Sequence, residues 1–384
     1  LTFTRASTAT RVNSDGLIEE ASVLGSEQVT NGDFESGLKG SKTSGTEIST
    51  WTLNTTSPIS GTQDGLLQVT TIGTDSQRPL LTSAATTTVS AKTYRLQFDY
   101  KVNSGTCILP QIHNGGGLIN VYKTFTGSGT YFVDILAAGT SNLGLLYFDG
   151  RNLFNIQIDN VSVKEVITLN VPRIDYTGGG CGKLLLEGQR TNIVLNNNDF
   201  SAGTWGLTLA ASLISNNVIS PDGTLNADTL VAGVGGAQIQ QATTGTSGVA
   251  YTVSMYIKRI SGSGPVYLRA VENTNTPVTI TNEWTRVSLT VTSTTTTIRV
   301  GVRLDVSGDQ VAIWGAQAEL GSYSTSLINT TSTAVTRLAD SASKSGISSL
   351  INSVEGVLYA EIAALANDST QRAISLSDGT NTNR

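Results

Sequence analysis

Apolar and polar residues alternate along this chain with a period of two. Tyr94, Leu96, Phe98, Tyr100 and Val102 fall on one side of an extended segment, with Arg95, Gln97, Asp99 and Lys101 on the other. Successive strand residues point to opposite faces, so this alternation predicts a half-buried antiparallel strand. Ile298, Val300, Val302, Leu304 and Val306 alternate in the same way with Arg299, Gly301, Arg303 and Asp305. Within 154–163 the phase flips: Phe154, Ile156 and Ile158 are followed by Val161 and Val163. A β-bulge at Asp159 and Asn160 accounts for the flip. Gly and Asn turns recur between such segments. The predicted fold class is therefore all-β, with tandem antiparallel β-sandwich (jelly-roll) modules. One short helix is expected over 340–352, capped by Asp340 or Ser341, with Ile347, Leu350 and Ile351 on one side.

An internal repeat sets the organisation. Val29-Thr30-Asn31-Gly32-Asp33-Phe34, followed by Trp51, is echoed by Leu195-Asn196-Asn197-Asn198-Asp199-Phe200, followed by Trp205. The strand from Tyr94 to Val102 is echoed by the one from Tyr251 to Arg259, and each copy closes on an apolar strand, at 154–163 and 311–320. The expected modules are 24–168 and 190–323, flanked by an attachment segment formed by 1–23 plus 169–190. Residues 324–353 read as a Ser/Thr-rich connector. Residues 354–384 hold only two strand patterns, too few to bury a core, and are expected to begin a further β domain that is incomplete here. The chain opens on Leu1 rather than Met, which suggests a longer or processed polypeptide.

Composition narrows the function classes. Only 14% of residues are charged, and the balance of 24 basic against 29 acidic residues gives −5. Such a chain offers no electrostatic footprint for nucleic acid. No stretch approaches the roughly 20 apolar residues of a membrane span, so no membrane insertion is expected. A single histidine, His113, in a Gly-rich stretch, leaves little for a metal cage or a Ser-His-Asp relay. It reads as a solvated loop residue. Cys107 and Cys181 are too few for a disulfide framework and read as two unpaired thiols, with a single bridge as the alternative. Gly115-Gly116-Gly117 and Gly178-Gly179-Gly180 lack the following helix and Lys-Ser/Thr of a phosphate cradle and read as turns.

Acidic residues are scattered (Asp99, Asp134, Asp159, Glu272, Glu283, Asp305), without the convergent pair that glycoside cleavage needs. No catalytic residue and no cofactor or metal is assigned, and the chain is not expected to be an enzyme. Trp51, Trp205, Trp284 and Trp314 read first as packing residues. Tyr256 shares the polar side of its strand with Thr252, Ser254 and Lys258, and Arg299 and Arg303 share the polar side of another. Tyr256, Lys258, Arg299 and Arg303 are thus the candidate carbohydrate-binding residues. The competing reading is a solvated face or a subunit contact.

Phe3-Thr4-Arg5-Ala6-Ser7 through Glu19-Glu20 resembles a segment common in bacteriophage tail and virion-fibre proteins. There it runs into a segment like Val171-Pro172-Arg173-Ile174-Asp175-Tyr176, Leu184-Leu185-Leu186-Glu187 and Gln189-Arg190-Thr191-Asn192, so 24–168 resembles an insertion. The Asn31-Gly32-Asp33-Phe34-Glu35 motif, with Ile158-Asp159-Asn160-Val161-Ser162-Val163, resembles carbohydrate-binding jelly rolls. That likeness implies that Glu35 and Asp159 are carboxylates which related modules place near a structural calcium. Residues 355–384 resemble the first hairpin of a concanavalin-like lectin domain.

The resemblance implies a structural fibre or appendage protein of a bacteriophage virion: a tail fibre, head fibre or baseplate appendage. Its function is then host attachment through glycan-binding jelly rolls. Implied partners are other virion proteins, copies of itself as a homotrimer, and a host-surface glycan. Location on the virion, after synthesis in the bacterial cytoplasm, follows. Two alternatives stand beside it: the N-terminal part of a glycan-depolymerase tailspike, and the binding module of a secreted glycosidase.

Overall fold

β-Branched and aromatic residues at alternate positions make strands the dominant element, and every strand pairing among the described residues is antiparallel. The computed structural model describes residues 2–29, 88–140, 153–271 and 274–346, with shorter stretches at 32, 51–54, 67–70, 80–83, 143, 146–148, 354–357 and 362. No helix occurs among them. The chain divides into two units: Leu1–Ala21 with Thr168–Arg384, here the main unit, and Ser22–Ile167, here the inserted unit.

The inserted unit is a two-layer sandwich. One sheet orders Leu118–Phe125, Cys107–His113, Leu146–Tyr147, Leu80–Ser83 and Trp51–Asn54. The other orders Ser128–Leu136, Thr93–Gly105, Phe154–Ile167 and Val23–Glu27, with Leu67–Thr70 also on Phe154–Ile167. Leu96, Phe98, Leu109, Phe125, Ile156 and Ile158 fill the core between them. The bulge read from the phase flip is present. The register shifts between Asp159 and Ser162, and Asn160 takes a left-handed φ of 52°, a conformation Asn tolerates better than most residues.

The main unit is a second sandwich. Its front sheet orders Gly206–Thr208, Ala237–Thr244, Thr297–Leu304, Val266–Ala270 and Thr274–Val278. Its back sheet orders Ala211–Ile219, Leu225–Ala232, Gln310–Leu320, Ala250–Ser261 and Thr285–Thr292. Val253, Met255 and Ile257 meet Ile298, Val300 and Val302 in the core.

Four short pairings bind the remaining chain to this sandwich's own unit. Thr2–Thr4 pairs with Ser341–Ser343, Thr10–Val12 with Ile18–Glu20, Arg173–Asp175 with Lys183–Leu185, and Arg190–Asn192 with Val335–Arg337. The helix expected from Asp340 onward is corrected at its start. Ser341–Ser343 is a strand, because its backbone is satisfied by Thr2–Thr4 rather than locally. Residues 347–352 of that expectation lie outside the described residues, as does most of 354–384.

A buried ionic network holds these segments. Arg173 Nη1 donates to Glu187 Oε2 at 2.7 Å, and Arg5 Nη1 donates to Asp340 Oδ1 at 2.8 Å. Arg337 also pairs with Glu187, and Arg173 with Asp340. Ser326 donates its N–H and hydroxyl to Glu187, and the Glu187 N–H donates to Asp340 at 2.8 Å. Every one of these charged side chains is at most 2% exposed. Charges this deep persist only when paired and hydrogen-bonded. Asp340 is therefore an ion-pair partner, not a helix cap.

Candidate functional site

The structure separates the four residues singled out from the sequence. Tyr256 and Lys258 lie on Ala250–Ser261 in the back sheet, and Arg299 and Arg303 on Thr297–Leu304 in the front sheet. All four alternate with core residues, so the two pairs project from opposite faces of a sandwich whose layers are about 10 Å apart. Period-two reading tells which side of its own strand a residue occupies, but not which sheet that strand joins.

Tyr256 is also not an exposed platform. The hairpin carrying Val12 and Ile18, together with Leu327, packs over this part of the back sheet and forms an apolar cluster with Ala227, Trp314 and Tyr256. The Trp314 ring meets Tyr256 edge-on at 5.6 Å between centroids, and the Arg286 guanidinium lies 5.4 Å from the Tyr256 ring centre. Burial raises the Tyr256 phenol pKa against the pull of Arg286. A cleft of about 190 Å³, open to solvent, borders this cluster and is lined in part by Arg11, Asp175, Glu187, Tyr256, Arg286 and Thr325. Its charged groups are engaged. Asp175 accepts the N–H groups of Val12 and Thr177, and Arg286 donates to the Thr325 carbonyl at 2.7 Å and to Ser254 Oγ at 3.1 Å. Glu187 is held ionised: burial would raise its pKa, but Arg337 and Arg173 outweigh burial and lower it. These groups position chain segments.

The outer face of the front sheet is different. One rung across it reads Gly206, Gln240, Gly301, Arg269, Asn275, and the next reads Thr208, Gln238, Arg303, Tyr267, Pro277. Arg299 stands two residues before Gly301 on the same face. Gly301 thus leaves a gap in side chains between Arg299 and Arg303, with Gln240 on one neighbouring strand and Arg269 on the other. Only glycine fits there, because a Cβ would stand 2.1 Å from the Ile239 carbonyl oxygen. Arg303 pairs with Asp305 at 2.7 Å and lies 5.7 Å from the Tyr267 ring centre. Arg269 is only 6% exposed. Its burial, and the charges of Arg299 and Arg303, lower its pKa, although a guanidinium remains protonated at neutral pH. Gln240 Oε1 and Asn275 Oδ1 are buried without a hydrogen-bond partner among the described residues.

Sequence reasoning found Arg299 and Arg303 here and missed Gln240, Tyr267, Arg269 and Asn275. The signal for two of them was present: Tyr267 and Arg269 alternate with Val266, Leu268 and Ala270. The pairing that sets Gln240 and Asn275 on the same rung is not a sequence pattern.

The other residues weighed from sequence fall as follows. Trp205 and Trp314 are buried, and the Trp284 indole donates to the Ile219 carbonyl at 2.9 Å, in keeping with packing roles. The Trp51 side chain lies outside the described residues. His113 ends the strand Cys107–His113 instead of sitting in the loop, and its Nδ1 accepts the Gly115 N–H at 3.0 Å. Gly178, Gly179 and Gly180 all take positive φ, as a tight turn requires. Cys107 is buried and Cys181 exposed, both unpaired. Among the described residues, no group of three His, Cys, Asp or Glu side chains converges to hold a metal. Asp159 is described, but Glu35 and the rest of its motif, apart from Gly32, are not.

No family model and no curated protein matches the chain. Among solved structures, the chain is similar to the CBM22-1–CBM22-2 tandem domain of Xyn10C from Paenibacillus barcinonensis, at 9% identity, with 78% of this chain and 98% of that one covered and a TM-score of 0.26. It is similar to a CBM4 structure at 16% identity, over 36% of this chain and 99% of that one, with a TM-score of 0.27. It is also similar to the enzymatically active domain of tailspike protein 4 of bacteriophage CBA120, at 14% identity, over 34% of this chain and 21% of that one, with a TM-score of 0.27.

Proposed function

We propose that the chain is part of a fibre or appendage of a bacteriophage particle, and that it contacts host-surface glycans through its β-sandwiches without cleaving them. The observation that carries the glycan reading is the outer face of the front sheet. Amides, guanidiniums and one aromatic ring are spread there over four neighbouring strands, on a rigid scaffold. A pyranose offers a ring of hydroxyls and an apolar face, and such a mixed surface answers both. The virion reading rests on the N-terminal segment and its continuation from Val171 through Asn192. Attachment to other virion proteins, and self-association as a trimer, belong to the same proposal. Binding without cleavage is favoured by the state of Glu187, one of two carboxylates that line the cleft, which is held ionised between two arginines. The test is binding of the full chain to a glycan array and to intact bacteria, beside Tyr267→Ala and Gln240→Ala. Saturable binding that both variants weaken supports the reading; a chain that binds no glycan and no cell overturns it.

A further inference from the structure

The glycan reading leaves open what kind of saccharide the front sheet takes, and the arrangement of charge on that face decides it. Resting on that reading, we infer that this face selects glycans that carry oxyanions — carboxylate, sulfate or phosphate — over neutral ones.

Arg269 stands opposite the side-chain-free position Gly301 in the sheet register, and Arg299 and Arg303 stand two residues before and after it on the same face. Like charges at this spacing repel, and the repulsion grows as water is removed. Arg269 is more than nine-tenths buried and still belongs to the group. Asp305 offsets Arg303. Arg299 makes no hydrogen bond or ion pair among the described residues, and no acidic side chain shares the two rungs around Gly301. A planar guanidinium binds an oxyanion through two parallel N–H donors, and several guanidiniums around a gap present such donors from more than one side.

The remaining groups fit the rest of a sugar. Gln240 Oε1 and Asn275 Oδ1, both short of a hydrogen-bond donor, flank Gly301 and Arg269 on the same rung. A sugar hydroxyl supplies the donor each lacks. The face therefore offers donors for a negative group and acceptors for neighbouring hydroxyls, the pattern of an acidic saccharide and not of a bare anion.

The net charge makes the inference easy to test. A chain with a formal charge of −5 repels polyanions as a whole, so any attraction to them must be local. Binding of the full chain is measured against dextran, polygalacturonate and dextran sulfate, at low and at physiological salt. Arg299→Gln, Arg303→Gln and the double variant are measured alongside. Exposed Lys101→Gln in the inserted unit serves as the charge-matched control, and thermal melting checks that each variant is folded.

We expect binding to one or both charged polymers and not to dextran. Each arginine substitution should weaken it about tenfold, the control should not, and salt should reduce it. Preference between the two charged polymers tells carboxylate from sulfate. Binding to dextran as tight as to the acidic polymers overturns the inference while the glycan reading stands. So does acidic-polymer binding that survives the double substitution. No binding to any polymer, array glycan or cell overturns both.

Discussion

Arg5 and Asp340 lie 335 residues apart and meet in an ion pair of 2.8 Å with both side chains fully buried. Asp340 holds Arg173 as well. Removing this one carboxylate leaves the buried Arg5 guanidinium with no ion-pair partner and Arg173 with Glu187 alone. Asp340→Ala should therefore destabilise the main unit by about 3–5 kcal/mol, the usual cost of breaking a buried pair from one side. Denaturant unfolding should show the main-unit transition moved to lower concentration, with the inserted-unit transition unchanged. Wild-type stability in the variant would mean that the network contributes nothing.

Acid should act through Glu187. Arg337 and Arg173 more than offset its burial and hold its pKa below 4.5, the value expected of an ordinary Glu. The unfolded chain then binds the proton more readily than the folded one. The linked stability is complete above the unfolded pKa and is lost as pH falls through the folded value. Unfolding midpoints between pH 7 and pH 3 should fall on the acid side of about pH 4.5. Ser326→Ala, which removes one donor from Glu187 but leaves both arginines, should shift that fall to slightly higher pH. An acid limb that does not move would point to other carboxylates.

The inserted unit should be removable. The Ala21 N–H donates to the Ala9 carbonyl, and the Asn170 N–H donates to the Arg5 carbonyl, both at 2.9 Å. Both ends of the excised stretch are thus tied to the five-residue segment from Arg5 to Ala9, whose ends are at most about 14 Å apart when extended. A chain lacking 22–167, joined by about six Gly/Ser residues, should fold, since such a linker spans that gap. Its expected signature is soluble expression with the main-unit transition retained; aggregation would show that the inserted unit is needed.

The two thiols should differ. Cys181 is exposed and Cys107 fully buried, where burial raises its pKa. A thiolate is the reacting species. Titration with a chromogenic disulfide should count one thiol in the native chain and two in denaturant. Two in the native chain would contradict the packing around Cys107.

Strand position and bulge were legible because alternation is a local property. The phase flip at Asp159 and Asn160 needed only ten neighbouring residues to be seen, and so did the inward row from Ile298 to Leu304. What covers a strand is not local. Tyr256 reads as exposed from its neighbours Thr252, Ser254 and Lys258, yet Val12, Ile18 and Leu327 arrive from far along the chain to pack beside it. Asp340 fails for the same reason. Its placement before Ser341 suits a helix cap, but Arg5, Arg173 and the pairing of Thr2–Thr4 use that stretch first. Likewise the front-sheet face was half visible, through Arg299 and Arg303, because the rung that adds Gln240 and Asn275 is made by pairing between strands.

The pairing of Thr2–Thr4 with Ser341–Ser343 is antiparallel, with Thr2 opposite Ser343. A pull applied between residues 2 and 343 would enter and leave the main unit at the same end of this pair. Its hydrogen bonds would open one after another, like a zipper, instead of sharing the load in shear. The first element behind them able to stop the peeling is the Arg5–Asp340 contact. Under tension the ionic network would therefore act as a mechanical clasp, shielding both sandwiches from force for as long as it stayed closed.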